Sequence, residues 1–455
     1  MTGHDLATPL MPDPVTSAQL HTLWALPEQR LDATSAPGTR AEAPHEELAL
    51  TSAELAELFA RIVWSRITEP GDATAGTLIA WLGAPTALAL VARGAHPREF
   101  DERFLRTEAP LGSAAAGEPP SGPAITAALR RWRPRIADTP ASSDIERAVE
   151  LGMRVVTPTH PAWPQQLNDL GAHTPHLLWV RGNPTHLSAP SLAIVGARAC
   201  TSYGAHVTAE LAAAAVAGGR VIVSGAAYGV DAVAHRTALA AERPTVAVLA
   251  GGADRVYPAA HDTLLARVRE QGVVCSELVP GAAPTRWRFL QRNRLIAALA
   301  DATLVTEAGP RSGSLNTAGH AATLGRPLGA VPGPITSAAS AGCHRLVQEY
   351  GAALITGERD LTELIEAGGG EWSLTQTETH AAADDSEPRQ PETHRRVLDA
   401  LPLRGSRTAE RLAQLAGLDP REAQRALVEL ELLGSAVRRE TPGDAPPRWA
   451  LQRRQ

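Results

Sequence analysis

Short apolar runs and longer helical stretches alternate along the chain from about residue 154 onward. The runs are rich in β-branched residues, and helices of ten or more residues are predicted between several of them. Strands of a parallel sheet that is covered by helices on both faces have this pattern, because they are buried on two sides. The eight runs are RVVT, LLWVRG, LAIVGA, RVIVSG, TVAVLAGG, VVCSEL, ATLVTEAG and PLGAVPG. The pattern predicts an α/β core with a parallel sheet over residues 151–370.

The pattern before this core is helical. Residues 46–150 are predicted to form a helical domain, in which Thr51 and Glu54 have the spacing of a capping box at a helix start. The stretch Ala73–Val91 carries no charge and is nearly long enough to span a bilayer. Gly83-Ala84-Pro85 divides it, so two short buried helices are expected there and no membrane span.

Two segments lack any hydrophobic period. Residues 1–45 are rich in Pro, Ala and Thr and are expected to be disordered. Residues 371–390 are polar and acidic and are expected to be a linker.

A compact unit is predicted after the linker, over residues 391–455. One helix is expected over Arg407–Ala416, and Asp419 is expected to cap a second helix with Pro420 at its first position. The segments SAVRRE and PRWAL then have the pattern of a hairpin. Two helices followed by a two-stranded wing indicate a winged helix.

The composition excludes several kinds of chemistry. The chain has 455 residues and a net charge of −6, so a nucleic-acid site would have to be a local concentration of positive charge. All 43 basic residues are Arg, which excludes a P-loop lysine and a Schiff-base lysine. The three cysteines are far apart, and no secretory signal begins the chain, so a cytoplasmic protein is expected.

Glycine-containing turns follow three of the predicted strands and lead directly into helices. They are Gly196–Arg198, Ser224–Asp231 and Glu307–Ser314. Glycine lets the backbone approach a ligand, and a helix N-terminus offers free N–H groups to an anion. Tight turns without a ligand are the alternative. We expect a phosphate-binding rim that contains Arg198, Ser224, Gly225, Gly229, Ser312, Gly313 and Ser314.

A basic and aromatic cluster, RWRFLQRNR, lies at residues 286–294 before an apolar helical stretch. Single-strand binding needs cations for phosphates and a ring face for a base. Cations are unfavourable at a helix N-terminus, so their presence there indicates an anionic partner. A basic helix start with a buried Phe289 is the alternative. The candidate DNA contacts are Arg286, Phe289, Arg292, Asn293 and Arg294.

Residues that look catalytic in isolation have no suitable partners. His235 lies four residues after Asp231, and Glu307 lies near Ser312, but no nucleophile with its base is evident. A structural or surface role is expected for each. The sequence also lacks metal-ligand spacing and a G-x-G-x-x-G fingerprint. We therefore expect no catalytic residues, no metal and no cofactor.

The segment from Leu192 to Thr356 contains a series of short motifs. They are VG-x-R from Val195, SG-x-A-x-G-x-D-x-x-AH from Ser224, GG…YP from Gly251, SE at Ser276, F-x-x-RNR from Phe289, EA…SGSL-x-TA from Glu307, GR at Gly325, VPG from Val331 and GA at Gly351. With these motifs in this order, the segment resembles the core of the DNA-processing protein A (DprA/Smf) family. Two departures are Leu290, where the family usually has Pro, and Asn316, where it often has an aliphatic residue.

The resemblance implies an extended Rossmann-like fold that dimerises and binds single-stranded DNA. It implies protection of incoming strands and loading of a RecA-type recombinase in natural transformation. By motif position, Arg198 and the turn Gly225–Gly229 would hold phosphates, Phe289 would stack on a base, and Arg286 would occupy a basic position of the family.

Two other functions remain open. Related Rossmann-like enzymes that hydrolyse nucleotides carry a PGG-x-GT-x-x-E signature, which is absent here. A winged-helix regulator would read duplex DNA with its second helix, but that helix carries Glu422, Glu429 and Glu431 beside its arginines. A protein partner is another possible target of that domain.

Overall fold

The computed structural model describes residues 12–26, 50–108, 117–138, 141–368, 391–439 and 446–452. It shows a mixed α/β protein with one large sheet. The predicted linker 371–390 and most of segment 1–45 lie outside the described residues.

The expectation of disorder over residues 1–45 is wrong for one part of that segment. Helix α1 (Pro14–Trp24) begins at the N-cap Asp13, whose carboxylate accepts from the backbone N–H groups of Val15 and Thr16. The side chains of Leu20 and Leu23 are completely buried. The helix is short and is bordered by prolines, so composition did not indicate it.

The helical region that follows packs around two tryptophans. The rings of Trp64 and Trp132 meet edge to face with their centroids 5.1 Å apart. Thr51 and Glu54 form the predicted capping box. The helices are α2 (Ser52–Ile67), α3 (Ala73–Leu82), α4 (Ala84–Ala92), α5 (Pro97–Phe104), α6 (Gly122–Asp138) and α7 (Ala141–Glu150).

The apolar stretch near residue 80 forms two short helices, as expected. Helices α3 and α4 meet at Gly83 with a bend of 115°. In the part of the chain that the structure describes, no single helix is long and apolar enough to cross a membrane. The bent pair of α3 and α4 would be sufficient by length and composition only.

All eight predicted strands are present in one sheet. Its strand order is β1-β2-β6-β5-β4-β3-β7-β8-β9, and the strands from β6 to β9 in this order are parallel. β2 is antiparallel to β6, and β1 is antiparallel to β2, so the sheet is mostly and not wholly parallel as predicted. The strands are β1 (Arg154–Val156), β2 (Leu178–Gly182), β3 (Ser191–Val195), β4 (Val221–Ser224), β5 (Thr245–Val248), β6 (Val273–Ser276), β7 (Ala302–Val305), β8 (Leu328–Ala330) and β9 (Ala353–Leu354).

Helices cover both faces of the sheet, as the sequence predicted. Successive side chains of β3 point to opposite faces. Leu192 and Ile194 pack into the core that contains Leu211, whereas Ala193 and Val195 pack into the core that contains Leu295. The helices are α8 (Ser202–Ala217), α9 (Val230–Ala240), α10 (Asp262–Gln271), α11 (Arg286–Leu299), α12 (Ser314–Thr323), α13 (Ala341–Tyr350) and α14 (Glu358–Gly368).

The C-terminal unit has the predicted two helices and hairpin, with one more helix before them. Asp419 accepts from the N–H of Arg421, and Pro420 is the first residue of its helix. The helix expected from Arg407 begins at Ala409, because Arg407 and Thr408 pair with the last strand. That the unit is a winged helix stays a prediction. Its elements are α15 (Glu392–Ala400), β10 (Arg407–Thr408), α16 (Ala409–Ala416), α17 (Pro420–Leu432), β11 (Ala436–Arg439) and β12 (Arg448–Leu451).

Candidate nucleic-acid interface

The candidate site lies where the strand order reverses. β3 has β4 on one side and β7 on the other, and the three strands are parallel. The turns that follow them therefore meet at one edge of the sheet, which is the usual ligand position in such folds. The N–H of Ala197 donates to the carbonyl of Glu307 at 2.7 Å, and this bond joins the turns after β3 and β7.

Buried carboxylates hold these turns in shape. Glu307 accepts from the backbone N–H and the hydroxyl of Thr201 at 2.7 and 2.6 Å. Asp231 accepts from the N–H groups of Gly225 and Ala227, both at 3.2 Å. Both acids therefore bind the backbone of the turns.

Ser224 and Gly225 are not at the surface. The hydroxyl of Ser224 donates to the carbonyl of Ile194 at 2.7 Å, and Ser224 is completely buried. A Cβ at Gly225 would overlap the guanidinium of Arg292. The glycine is thus required by packing beneath the turn, and its N–H already donates to Asp231.

Arg292 lies beneath the turn after β4. Its Nη1 donates to the carbonyls of Gly225 and Val248, both at 2.7 Å. Burial lowers the pKa of its guanidinium to about 10, although the nearby carboxylate of Asp231 acts in the opposite direction. Burial also raises the pKa of Asp231, against the effect of Arg292. The two groups stabilise each other inside the protein.

Phe289 is half-buried and is bordered by cations and a second aromatic ring. The guanidinium carbon atoms of Arg198 and Arg292 lie 5.1 and 5.6 Å from its ring centroid. The ring of Tyr257 lies 5.3 Å away and is tilted by 57°. This arrangement joins the loop after β3, the loop after β5 and the start of α11.

The arginines of the site fall into two groups. Arg198, Arg286 and Arg311 are exposed. Across the described ranges, no ion pair or hydrogen bond engages their guanidinium groups. By contrast, Arg294 is buried and forms two bonds of 2.6 and 2.7 Å with Glu277, and Arg288 binds Glu69.

The turn after β7 presents hydroxyl groups and an uncapped helix. The side chains of Ser312 and Ser314 are 2.7 Å apart, and Ser312 is partly exposed. No side chain caps α12, whose N-cap is Gly313. Asn293 is buried, and its amide donates to the carbonyl of Gly313 and to Asn316. Asn293 therefore positions this turn from below.

Comparisons with known proteins identify the relatives of this chain. A family model described as DNA recombination-mediator protein A matches residues 154–366. A putative DNA processing protein DprA of Mycobacterium tuberculosis is 44% identical over 69% of this chain and 80% of that protein. The chain belongs to the DprA family.

Two pneumococcal comparisons extend this result. The DNA processing protein DprA of Streptococcus pneumoniae is 41% identical over 42% of this chain and 67% of that protein. The X-ray structure of DprA from the same species is similar with a TM-score of 0.51 and 29% identity, over 68% of this chain and 96% of that chain. The fold and the family of DNA-processing proteins are therefore those that the motifs implied.

The structure brings only part of the predicted DprA site to the surface. Six of the candidates are exposed or partly exposed, namely Arg198, Gly229, Arg286, Phe289, Ser312 and Gly313. The others are buried beneath the surface: Ser224, Gly225, Arg292, Asn293, Arg294 and Ser314. Position in a motif could not separate the two sets, because a motif can contain both surface residues and the buried residues that support them.

Sequence reasoning missed the tyrosines at this edge. Tyr228 and Tyr257 are each 48% exposed. The available signal was their position in loops directly after predicted strands. His235, in contrast, is completely buried, and its Nδ1 lies 2.8 Å from the hydroxyl of Thr245. Burial lowers the pKa of His235 to about 3, so it is a neutral structural residue.

The described residues contain no group of three or more His, Cys, Asp or Glu side chains that could hold a metal ion.

Proposed function

We propose that the chain is a single-stranded DNA-binding recombination mediator and that its DNA site is the carboxyl edge of the sheet around Phe289. The observation that carries the proposal is a partly exposed ring beside arginines that have no anionic partner in the described part of the chain. Arg198 lies 5.1 Å from the ring, and Arg286 is three residues away on the same face of α11. Rings stack on bases and arginines bind phosphates, without dependence on sequence.

Arg198 has two alternative partners at this site. Its contact with the Phe289 ring is worth about 0.5–1 kcal/mol at an exposed position. A phosphate offers a charge-assisted, bidentate bond, and a base on the ring contributes about 1–3 kcal/mol. We infer that an arriving strand draws Arg198 from the ring to a phosphate and places a base against Phe289.

The proposal assigns contact and support to different residues. Arg198, Gly229, Arg286, Phe289, Ser312 and Gly313 contact DNA. Ser224, Gly225, Arg292, Asn293, Arg294 and Ser314 keep the turns in place. Protection of incoming strands, loading of a RecA-type recombinase and a homodimer are parts of the proposal that are supported by membership of the DprA family.

A catalytic function has no comparable support. The carboxylates at the edge, Glu307 and Asp231, accept hydrogen bonds from the backbone and are buried. A base-release assay with nucleotides tests the enzyme alternative directly.

Fluorescence anisotropy with a labelled oligonucleotide tests the proposal. We expect tighter binding to a single strand than to the matched duplex, with little dependence on its sequence. The logarithm of affinity should fall with the logarithm of salt concentration by about 0.7 per phosphate contact. Arg198→Ala should make this slope shallower by roughly one contact.

The matched control is Arg236→Ala, because Arg236 is an exposed arginine of α9 within the same sheet domain. Its slope should equal that of the unaltered protein. Equal or stronger affinity for the duplex would exclude the proposal, and an unchanged slope for Arg198→Ala would exclude its phosphate contact.

A further inference from the structure

Three of the four tyrosines of the chain lie in loops or at a helix start along the carboxyl edge of the sheet. Tyr203 follows β3, Tyr228 follows β4 and Tyr257 follows β5. They are 46%, 48% and 48% exposed, respectively. Half-exposed rings at such an edge are candidates for contact with a partner.

The three tyrosines differ in what holds them. The hydroxyl of Tyr203 donates to the carbonyl of Pro332 at 2.8 Å, which fixes it towards the loop after β8. Within the described ranges, the hydroxyls of Tyr228 and Tyr257 have no hydrogen-bond partner. The Tyr203 ring is thus tied to a neighbouring loop by its hydroxyl, whereas the Tyr228 and Tyr257 rings are not.

The rings of Tyr228 and Tyr257 are nevertheless supported on one side. Tyr257 packs 5.3 Å from Phe289, and Tyr228 lies 4.9 Å from the ring of His261 at 70°. His261 is itself buried, with its Nδ1 2.9 Å from the carbonyl of Ala226. Each ring is therefore supported on one side and exposed on the other. Little side-chain entropy would then be lost when a ligand stacks on it.

The order of the strands in the sheet sets the order of these rings along its edge. β3, β4 and β5 are adjacent and parallel, and neighbouring strands are about 4.8 Å apart. The order across the edge is thus Arg198 after β3, Tyr228 after β4 and Tyr257 after β5, with Phe289 beside Tyr257. The rings extend from the crevice between β3 and β7 towards β5.

We propose that Tyr228 and Tyr257 are additional base-stacking residues, which extend the bound single strand from the crevice beside β3 towards β5. This inference rests on the proposed function and adds the path of the strand. The ligand is a single-stranded oligonucleotide whose bases are unpaired, since a duplex does not expose the base faces to these rings.

The first experiment measures binding of the full chain to oligo(dT) of increasing length by fluorescence anisotropy. Tyr228→Ala and Tyr257→Ala should each weaken the binding of long strands by about 5- to 150-fold, the usual effect of removing one base–aromatic contact. Tyr228→Phe and Tyr257→Phe should bind like the unaltered protein, because the ring face is retained. Tyr203→Ala is the matched control, and its affinity should stay within about twofold.

The second experiment locates the strand directly. Irradiation of the complex with an oligonucleotide that carries 5-iododeoxyuridine, followed by mass spectrometry, should give adducts at Tyr228 and Tyr257 and not at Tyr203. This readout does not depend on variants, so a loss of stability in Tyr257→Ala, which contacts Phe289, would not affect it.

The outcomes separate the two proposals. If the unaltered protein binds single strands, but both alanine variants bind equally well and no adduct forms at either tyrosine, the proposed path is wrong and the proposed function stands. If the unaltered protein does not prefer single strands, the proposed function fails as well.

Discussion

At the scale of the residue, neighbouring arginines of one helix have different roles. Arg286 is exposed, whereas Arg288 binds Glu69, Arg292 lies beneath a turn and Arg294 binds Glu277. Successive residues of a helix point about 100° apart, so a basic run at the start of α11 distributes its charges among solvent, the core and a neighbouring domain. Only some of the cations in such a run can reach DNA.

Arg286 and Arg292 should therefore respond to substitution in opposite ways. Arg292→Ala removes the donor to two buried carbonyls, at a cost of about 1–3 kcal/mol each in the free energy of unfolding. Arg286→Ala should change that free energy by less than about 0.5 kcal/mol and should weaken single-strand binding. Denaturant titration and anisotropy of both variants measure this. A stable Arg292→Ala protein that no longer binds DNA would show that Arg292 contacts the strand.

Phe289 allows stacking to be separated from packing. Phe289→Tyr should be nearly neutral for DNA affinity, and Phe289→Leu should weaken it by roughly 1–3 kcal/mol because the side chain stays apolar but the stacking face is lost. Thermal melting of Phe289→Leu should change little, since the ring is only half-buried. A large loss of stability with normal DNA binding would make Phe289 a packing residue, and the site would then depend on its arginines.

At the scale of the element, α1 shows how packing creates structure that composition does not indicate. An isolated helix of 11 residues is marginal in water. This one is stabilised by the burial of Leu20 and Leu23, and the carbonyl of Trp24 lies 3.0 Å from Nε2 of His160. Tertiary contacts thus determine the helix.

Leu23→Ala should accordingly destabilise this part of the protein. Removing a completely buried leucine side chain costs about 2–5 kcal/mol in unfolding free energy, and the helix should become sensitive to proteolysis at low protease concentration. Val15→Ala is the control, because Val15 is 69% exposed on the same helix. Equal resistance of the two variants would mean that α1 does not dock in solution.

At the scale of the whole molecule, one buried carboxylate joins three parts of the chain. Glu69 of the helical region lies 2.6 Å from Arg135 and 2.9 Å from Arg288 at the start of α11. Arg396 of the C-terminal unit is also nearby and contacts the ring of Trp287 at 5.5 Å. The N–H of Trp287 donates to Asp399 at 3.0 Å, so the C-terminal unit rests on the helix that also carries Phe289.

Glu69 should make stability depend on acid. Burial acts to raise the pKa of Glu69, but the arginines together outweigh it and hold the pKa at about 2, below the ordinary value of 4.5. A depressed pKa contributes stability above pH 4.5 that is lost as the pH falls towards 2, and this shift corresponds to about 3 kcal/mol.

Glu69→Gln should consequently be less stable than the unaltered protein near neutral pH, and the difference should shrink between pH 4.5 and pH 2. Urea unfolding over this range measures it. Glu57→Gln is the control, because Glu57 forms a partly exposed ion pair with Arg61 on α2. If the difference in unfolding free energy does not vary with pH, the charge of Glu69 contributes nothing to stability.

The amino-acid sequence by itself determined the eight strands, the divided apolar stretch near Gly83, the capped helix starts and the family. These features depend on local periodicity, on turn chemistry and on motifs that are contiguous in the chain. Only the tertiary structure decided which members of the motifs lie at the surface. Arg198 and Arg292 look equivalent in the sequence, but one is exposed beside Phe289 and the other is buried beneath Gly225. The tyrosines of the edge and the contacts of Glu69 were decided in the same way, because burial and neighbouring charge depend on residues that are distant in the chain.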